Sequence, residues 1–476
     1  MATSPGSGSG TSEPNVDQAI RGPISSSALP KFFLWLLPLS FALQVAAIGA
    51  LQQYRVRPGN DNFEFGWEMG RIARSIAQGH GFSSPYEGQT GPSAWEPPLY
   101  PYLMAGVFKI FGIYTHASAW VLLASNSLLA TLTTIPIFFI AQKSFGERVA
   151  TWSAYAWALN PYVWYWSIHW LWDTTLTPLV LSCIFLVALE LARIGVSHPC
   201  PEQSGRGWPQ LQEVASMPHE SNMQHWAVFG ALFGIGALAN PTMLTFLPFC
   251  GLWIWHQRNR RGLPSLAGVV LSSVVFFAVL SPWMIRNYIA FGRFVFLRDD
   301  FGLQVRLGNG PYADGMLMAY LQPNLNKLEL EKFQHRGELA YAASCKQQAF
   351  DWIRAHPGRF ATISLKRFFY YWNGIPRPTS STAPVDFRTS AFLATSVLAI
   401  WGLIRALRQK RPAAWLFAGL ILLYPSTYYF IYPHARYRHP IEPALTILIV
   451  FLLTEIERRK SPQKSTAETA SQLPPR

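Results

Sequence analysis

The sequence predicts an all-α integral membrane protein, and three observations carry that expectation. Half of the residues are hydrophobic and 13% are charged, against about 25% charged in a soluble domain. Apolar runs at 33–51, 118–141, 149–168, 265–285 and 440–454 carry almost no charge, and they approach the roughly 20 residues that cross a bilayer. The basic residues gather in short connections between such runs, as the positive-inside rule requires. The net charge of +14 therefore reflects membrane topology rather than nucleic-acid binding.

Residues 1–30 are rich in Ser, Gly and Pro and lack the apolar groups that offset ordering entropy, so they are expected to be a disordered cytoplasmic tail. Residues 458–476 read the same way. Between them, 31–457 reads as one membrane domain. The first apolar run begins after about thirty residues without a small-residue cleavage site, so it is expected to be retained as a span. The expected spans are 33–51, 118–141, 149–168, 174–194, 225–240, 242–257, 265–285, 389–405, 413–432 and 440–454. With the N-terminus inside, the inner connections hold Lys143 and Arg148, Arg206, Arg258, Arg260 and Arg261, then Arg408, Lys410 and Arg411, then Arg458, Arg459 and Lys460. The outer turns near Asn240-Pro241 and Trp170–Asp173 lack Lys and Arg. The outer turn His434–His439 breaks the pattern with Arg436 and Arg438, which marks it as functional.

Two outer regions are large, 52–117 and 286–388. In the first, Phe65, Met69, Ile72 and Ile76 form a helical stripe over 63–78, with Glu64, Glu68, Arg71 and Ser75 on a second face. Such a helix can lie with its stripe in the bilayer interface. Residues 98–113 are apolar but short and contain Lys109, so they are expected to lie flat on the outer surface rather than span. The second region predicts a polar helical stretch around 327–355 and a further helix over 358–372. Cys183 and Cys250 sit in apolar runs, and Cys200 and Cys345 in separate loops. No disulfide framework or zinc spacing is present, and Cys345 is expected to be unpaired.

The candidate chemistry sits at the outer edge. Asp173 opens one span there, Arg286 closes another, and Glu442 opens the last. Charges at a membrane edge face a cavity or a partner. Arginines bind phosphate through charge-assisted hydrogen bonds, and a carboxylate can take the proton of an attacking hydroxyl. The candidate catalytic acids are Glu68, Asp173, Asp61 and Glu64; the candidate phosphate-binding residues are Arg286, Arg436, Arg438 and His439. Trp95, Glu96, Tyr100 and Trp172, with Trp166 and Trp170, are candidates for contacting a sugar or acceptor. Each has a plainer role available: an ion pair of Glu68 with Arg71, caps from Asp61, Glu64 or Asp173, headgroup snorkelling by the arginines, and an interfacial belt for the aromatics.

The first outer loop reads Glu68-Met-Gly-Arg-Ile-Ala-Arg-Ser-Ile-Ala-Gln-Gly-His-Gly-Phe82, followed by Pro97-Pro98-Leu99-Tyr100-Pro101-Tyr102 and Phe111-Gly112. Later come Ser144-Phe145-Gly146-Glu147-Arg148, Pro282-Trp283 with Arg286-Asn287, His356-Pro357, and Arg436-Tyr437-Arg438-His439-Pro440. In order and spacing these segments, from 33 to 455, resemble the GT-C glycosyltransferases, specifically family 39 and relatives that include protein O-mannosyltransferases and the bacterial aminoarabinose transferase. The resemblance implies a GT-C-type bundle of about ten transmembrane helices in the plasma (bacterial inner) membrane, with both termini cytoplasmic and an extracytoplasmic active site. It implies a polyprenyl-phosphate sugar donor and transfer with inversion to a protein, lipid or glycan hydroxyl. It also implies an acidic base in the first outer loop. Many members carry an Asp-Glu pair where this chain has Phe65 and Gly66, which moves the base role to Glu68, with Asp61 and Glu64 as alternatives. Asp173 matches the second acidic position, and Arg286 and Arg438 would hold the donor phosphate. No cofactor is implied; a divalent cation is possible and not required.

A transporter or lipid flippase for envelope glycolipids is the competing function, and a lipid-binding scaffold a third. Ion-coupled transport calls for polar groups at mid-bilayer, and the expected spans are nearly free of charge there.

Overall fold

The computed structural model describes residues 30–55, 65–194, 220–375 and 385–471. The described chain is a helical membrane bundle capped at one end by shorter helices. Among the described residues, five helical segments are long and apolar enough to cross a membrane, and four shorter ones are apolar.

Helix α1 (Phe33–Ala50) leads to the short pair α2 (Glu68–Ala77) and α3 (Leu99–Phe111). Helices α4 (His116–Leu132) and α5 (Thr134–Phe145) follow one another as a 30-residue span. The run expected at 149–168 is two helices, α6 (Glu147–Ala158) and α7 (Pro161–His169). The break falls at Asn160-Pro161, where Asn160 Oδ1 accepts the Tyr162 amide at 3.0 Å and Pro takes the first helical position. Helix α8 (Leu176–Leu191) and helix α9 (Glu220–Ala239) come next. A second Asn-Pro start at Asn240-Pro241 opens a 3₁₀ turn before α10 (Leu247–Asn259). The long α11 (Leu266–Phe291) returns to the capped end.

The cap comprises α12 (Phe301–Gly308), α13 (Lys327–Arg336), α14 (Glu338–Ala355) and α15 (Pro357–Asn373). The chain closes with α16 (Val385–Arg408), α17 (Ala414–Leu423), α18 (Ser426–Phe430), α19 (Ala435–Arg438) and α20 (Glu442–Ser471). The last helix runs well past residue 454. Its Glu, Arg, Lys and Ala residues favour helix, so helix covers much of the tail that composition assigns to disorder. Cys183, Cys250 and Cys345 are free, in keeping with the unpaired Cys345 expected.

Polar contacts fasten the two ends differently. At the uncapped end, Lys143 pairs with Glu190 at 2.9 Å, Arg258 donates to the Leu191 carbonyl at 3.0 Å, and Arg261 donates to the Ala192 carbonyl at 2.6 Å. Both arginines satisfy the open carbonyls that end α8. In the cap, Arg306 holds Glu329 through two hydrogen bonds of 2.6 and 3.2 Å, and Tyr341 adds a third at 2.9 Å. The buried Arg367 donates to Asn309 Oδ1 at 3.2 Å and to the Phe430 carbonyl at 2.8 Å, joining α15 to α12 and α18.

Helices α9 and α11 pack closest at glycines. A Cβ on Gly230 would collide with the Ser272 carbonyl, and one on Gly268 with the Trp226 ring. Small residues at such crossings let membrane helices approach. Gly230→Val is expected to cost about 1–3 kcal/mol, the scale of overpacking, read as a lowered unfolding temperature in detergent.

Candidate active site

The capped end holds a partly open polar cavity. Its charged wall residues come from four distant segments: Glu96 from the connection between α2 and α3, Asp173 from just before α8, Arg298 from before α12, and Arg436 from α19. Met69, Trp172, Asn240, Tyr428 and Tyr437 also face it.

Each charge is held in a different way. Arg298 pairs with Glu96 at 3.3 Å and with Asp300, and donates to the Trp95 carbonyl at 3.2 Å. Gln304 donates to Asp300 at 2.7 Å. Asp173 accepts from Thr177 and Asn240, each at 3.1 Å. Arg436 stacks over the Trp172 ring at 4.1 Å and donates to Tyr437 Oη at 3.5 Å. Among the described residues no carboxylate lies within ion-pair distance of Arg436, so it is the cation with capacity for an incoming anion.

Glu68 begins α2 beside this cavity. Phe65, Gly66 and Trp67 all take positive φ, at 56°, 86° and 55°. A side chain on Gly66 would meet the Leu171 carbonyl at 2.5 Å and Trp172. Phe65 is buried with Met69, Phe108, Leu171 and Trp172. The two positions where the resembled family often carries acids are thus an apolar anchor and a close crossing, and Glu68 is the first residue after them free to carry the charge. Its Oε1 accepts from Asn324 at 2.6 Å, and Arg71 donates to the same Asn324. Arg71 is buried, and the stripe of α2 packs on α3 and α4, so the helix lies between bundle and cap rather than in the bilayer interface.

Burial raises the pKa of Glu68; a bond to its own backbone, Arg71 and Arg436 oppose that rise. Burial also raises Asp173, against Arg436 and its hydrogen bonds to Thr177 and Asn240. Glu96 is raised by burial against the pull of Arg298.

The remaining sequence candidates sit elsewhere. Asp61 and Glu64 lie outside the described residues. Arg438 is buried against α16, pairing with Glu442 at 2.8 Å and donating to Ser396 at 2.9 Å and Thr395 at 2.7 Å. His439 stacks on Trp157 at 5.6 Å, with both ring nitrogens buried and unpartnered. Arg286 lines a different cavity. Trp95 packs on Tyr86 and Phe333, and Tyr100 donates to Asn126 at 3.0 Å beneath the site. Of the proposed contact residues, Glu96 and Trp172 reach the cavity. Arg298, Asn240 and Asn324 escaped the sequence reading. The charged run Arg298-Asp299-Asp300 after an apolar stretch was the one available signal. Among the described residues no group of three or more His, Cys, Asp or Glu can hold a metal ion.

A further carboxylate pair brackets Ala94 in the connection between α2 and α3. Glu338 accepts the Ala94 amide at 2.6 Å, and the Asp299 amide donates to the Ala94 carbonyl at 2.9 Å. Glu338 Oε2 and Asp299 Oδ2 are buried without partners. Burial pushes the Glu338 carboxyl up to about 8 and the Asp299 carboxyl up to about 7.

Residues 95–194 match the family model of dolichyl-phosphate-mannose-protein mannosyltransferases; the matched stretch holds Glu96 and Asp173. No curated protein matches in sequence. Among solved structures, an Archaeoglobus fulgidus oligosaccharyltransferase in the apo form matches with a TM-score of 0.50 and 12% identity, over 92% of this chain and 52% of that chain. Oligosaccharyltransferase AglB from the same organism, in complex with an inhibitory peptide and a dolichol-phosphate, gives 0.48 and 13% over 94% and 52%. ArnT from Cupriavidus metallidurans, bound to undecaprenyl phosphate, gives 0.39 and 13% over 94% and 82%. The chain spans about half the length of the oligosaccharyltransferases it matches. The likeness to the apo enzyme shows a shared fold, a helical membrane bundle.

A carboxyl whose folded pKa lies above its unfolded value stabilises the fold at low pH and loses that contribution as pH rises through the folded value. Thermal stability is therefore expected to fall between about pH 4.5 and 8. Glu338→Gln is expected to flatten that slope in unfolding scans across the range.

Proposed function

We propose that this chain is a membrane glycosyltransferase that moves a sugar from a polyprenyl-phosphate donor to an acceptor hydroxyl, with inversion, at the extracytoplasmic face. The observation that carries the reading is Arg436, which stands in the cavity over Trp172 without a carboxylate partner. The GT-C fold and the mannosyltransferase match over 95–194 support it. The orientation rests on charge: the basic connections lie at the end opposite the cavity, which the positive-inside rule assigns to the cytoplasm. Both termini are then cytoplasmic.

The donor has two ends to house. A narrow apolar crevice, walled by Ile140, Leu181, Phe185, Phe417 and Ile447, lies among the apolar helices. Pro440 lines both this crevice and the polar cavity. The prenyl chain approaches along the apolar helices at this crevice, and its phosphate meets Arg436 above. Asp173, between Asn240 and α8, lies on this donor side and orients the sugar. Glu68 lies on the cap side, where the acceptor enters. Glu68 takes the proton of the acceptor hydroxyl, the oxygen forms a bond to the anomeric carbon, and the bond from that carbon to the phosphate oxygen breaks. The electron pair leaves with the phosphate, where Arg436 stabilises the added charge. Burial raises the Glu68 pKa above the ordinary carboxylate value, which makes the carboxylate a stronger base.

Glu68→Gln is expected to lower kcat by about 10²–10⁴-fold, the worth of a general base, while binding of a polyprenyl-phosphate analogue persists. Unchanged turnover would remove Glu68 as the base. Arg436→Gln is expected to raise the donor KM by about 10–100-fold, the loss of a charge-assisted contact. Arg436 supplies the charge that a divalent ion would, so chelation is expected to leave the initial rate unchanged.

A further inference from the structure

The cavity at Arg286 shares no lining residue with the cavity at Arg436. It holds about 920 Å³ of empty space between residues 80–92, α3 and the end of α11. One wall is a closed, hydrogen-bonded loop: the Ser84 amide donates to the Gly91 carbonyl at 3.1 Å, and the Ser93 amide to the Phe82 carbonyl at 3.0 Å. The other wall is helix α11, which is long and apolar enough to cross a membrane. Its Ile285, Tyr288 and Ile289 are exposed beside the cleft. The cleft thus joins a polar loop to a bilayer-facing surface.

Arg286 sits at that join. It donates to the carbonyls of Phe82 and Ser93, the latter at 2.6 Å, and to Asn287 Oδ1 at 3.0 Å. It stacks on Trp283 at 4.9 Å. All three acceptors are neutral, and among the described residues no carboxylate is within ion-pair distance. A guanidinium has five N–H donors, so two remain. An uncompensated cation at a membrane edge favours an anionic partner, and the apolar flank of α11 favours one that carries chains.

We propose that this cleft holds the phosphate headgroup of an anionic bilayer lipid, with its chains along α11, at a site separate from the donor cavity. The test reconstitutes the full chain in nanodiscs with phosphatidylglycerol or phosphatidylcholine carrying a photoactivatable group near the head, and maps the labelled peptides. Phosphatidylglycerol is expected to label residues 80–92 and the end of α11, and phosphatidylcholine to leave them unlabelled. Arg286→Gln should lower the labelling about tenfold, the size of one charge-assisted contact. Because that variant also frees the loop, Ala290→Trp serves beside it: it fills the cleft from α11 without removing a hydrogen bond, and should block labelling too. Equal labelling by the two lipids, or full labelling of Ala290→Trp, overturns the proposal. Displacement by excess inorganic phosphate overturns the lipid assignment in favour of a soluble anion. The readout is lipid capture, so its failure leaves the transferase reading untouched.

Discussion

The constraint that orders this molecule is the cost of an unpaired charge in hydrocarbon. The apolar helices leave their ionisable groups to the two ends, and each end meets the cost in its own way. At the uncapped end, arginines such as Arg258 and Arg261 satisfy helix carbonyls. At the capped end, carboxylates and guanidinium groups are enclosed by a second helical layer. There Arg298 is saturated by Glu96 and Asp300, and Arg438 by Glu442 and α16. Arg436 is held by aromatic faces alone, apart from its bond to Tyr437. Chemistry concentrates where that compensation is left incomplete.

The backbone contributes as much as the charges. The two Asn-Pro starts, at Asn160 and Asn240, end one helix and begin another, each Asn side chain capping one free amide of the new helix. The second sets Asn240 against Asp173. The left-handed run Phe65-Gly66-Trp67 brings α2 against Leu171 and Trp172. Strain of this kind persists where surrounding packing enforces it, and here it fixes the start of the helix that presents Glu68.

The spans were legible because bilayer thickness imposes a length that apolar runs reveal directly. Asn240-Pro241 already divided two expected spans, whereas the break at Asn160-Pro161 inside 149–168 was legible only once local capping was seen. Arg436 and Arg438 carried the same signal, two arginines on the wrong side of a charge rule. Two residues of separation on a short helix decide that one faces the cavity and the other α16, and composition cannot register that angle. The amphipathic stripe of α2 was plain, but its covering was not, because the cap that buries Arg71 and supplies Asn324 is remote in sequence. Arg298 lay in a long loop with no periodicity to mark it.

Pro440 forms a partition touched from above by polar groups and from below by aliphatic ones. A sugar carried on a nucleotide would meet the polar groups and bring no apolar surface to the aliphatic side. It would forgo the roughly 25 cal/mol gained for each Å² of apolar surface removed from water. On the proposed donor, discrimination against a soluble activated sugar would need no repulsive contact, because the shared proline would make the carrier itself part of what is recognised.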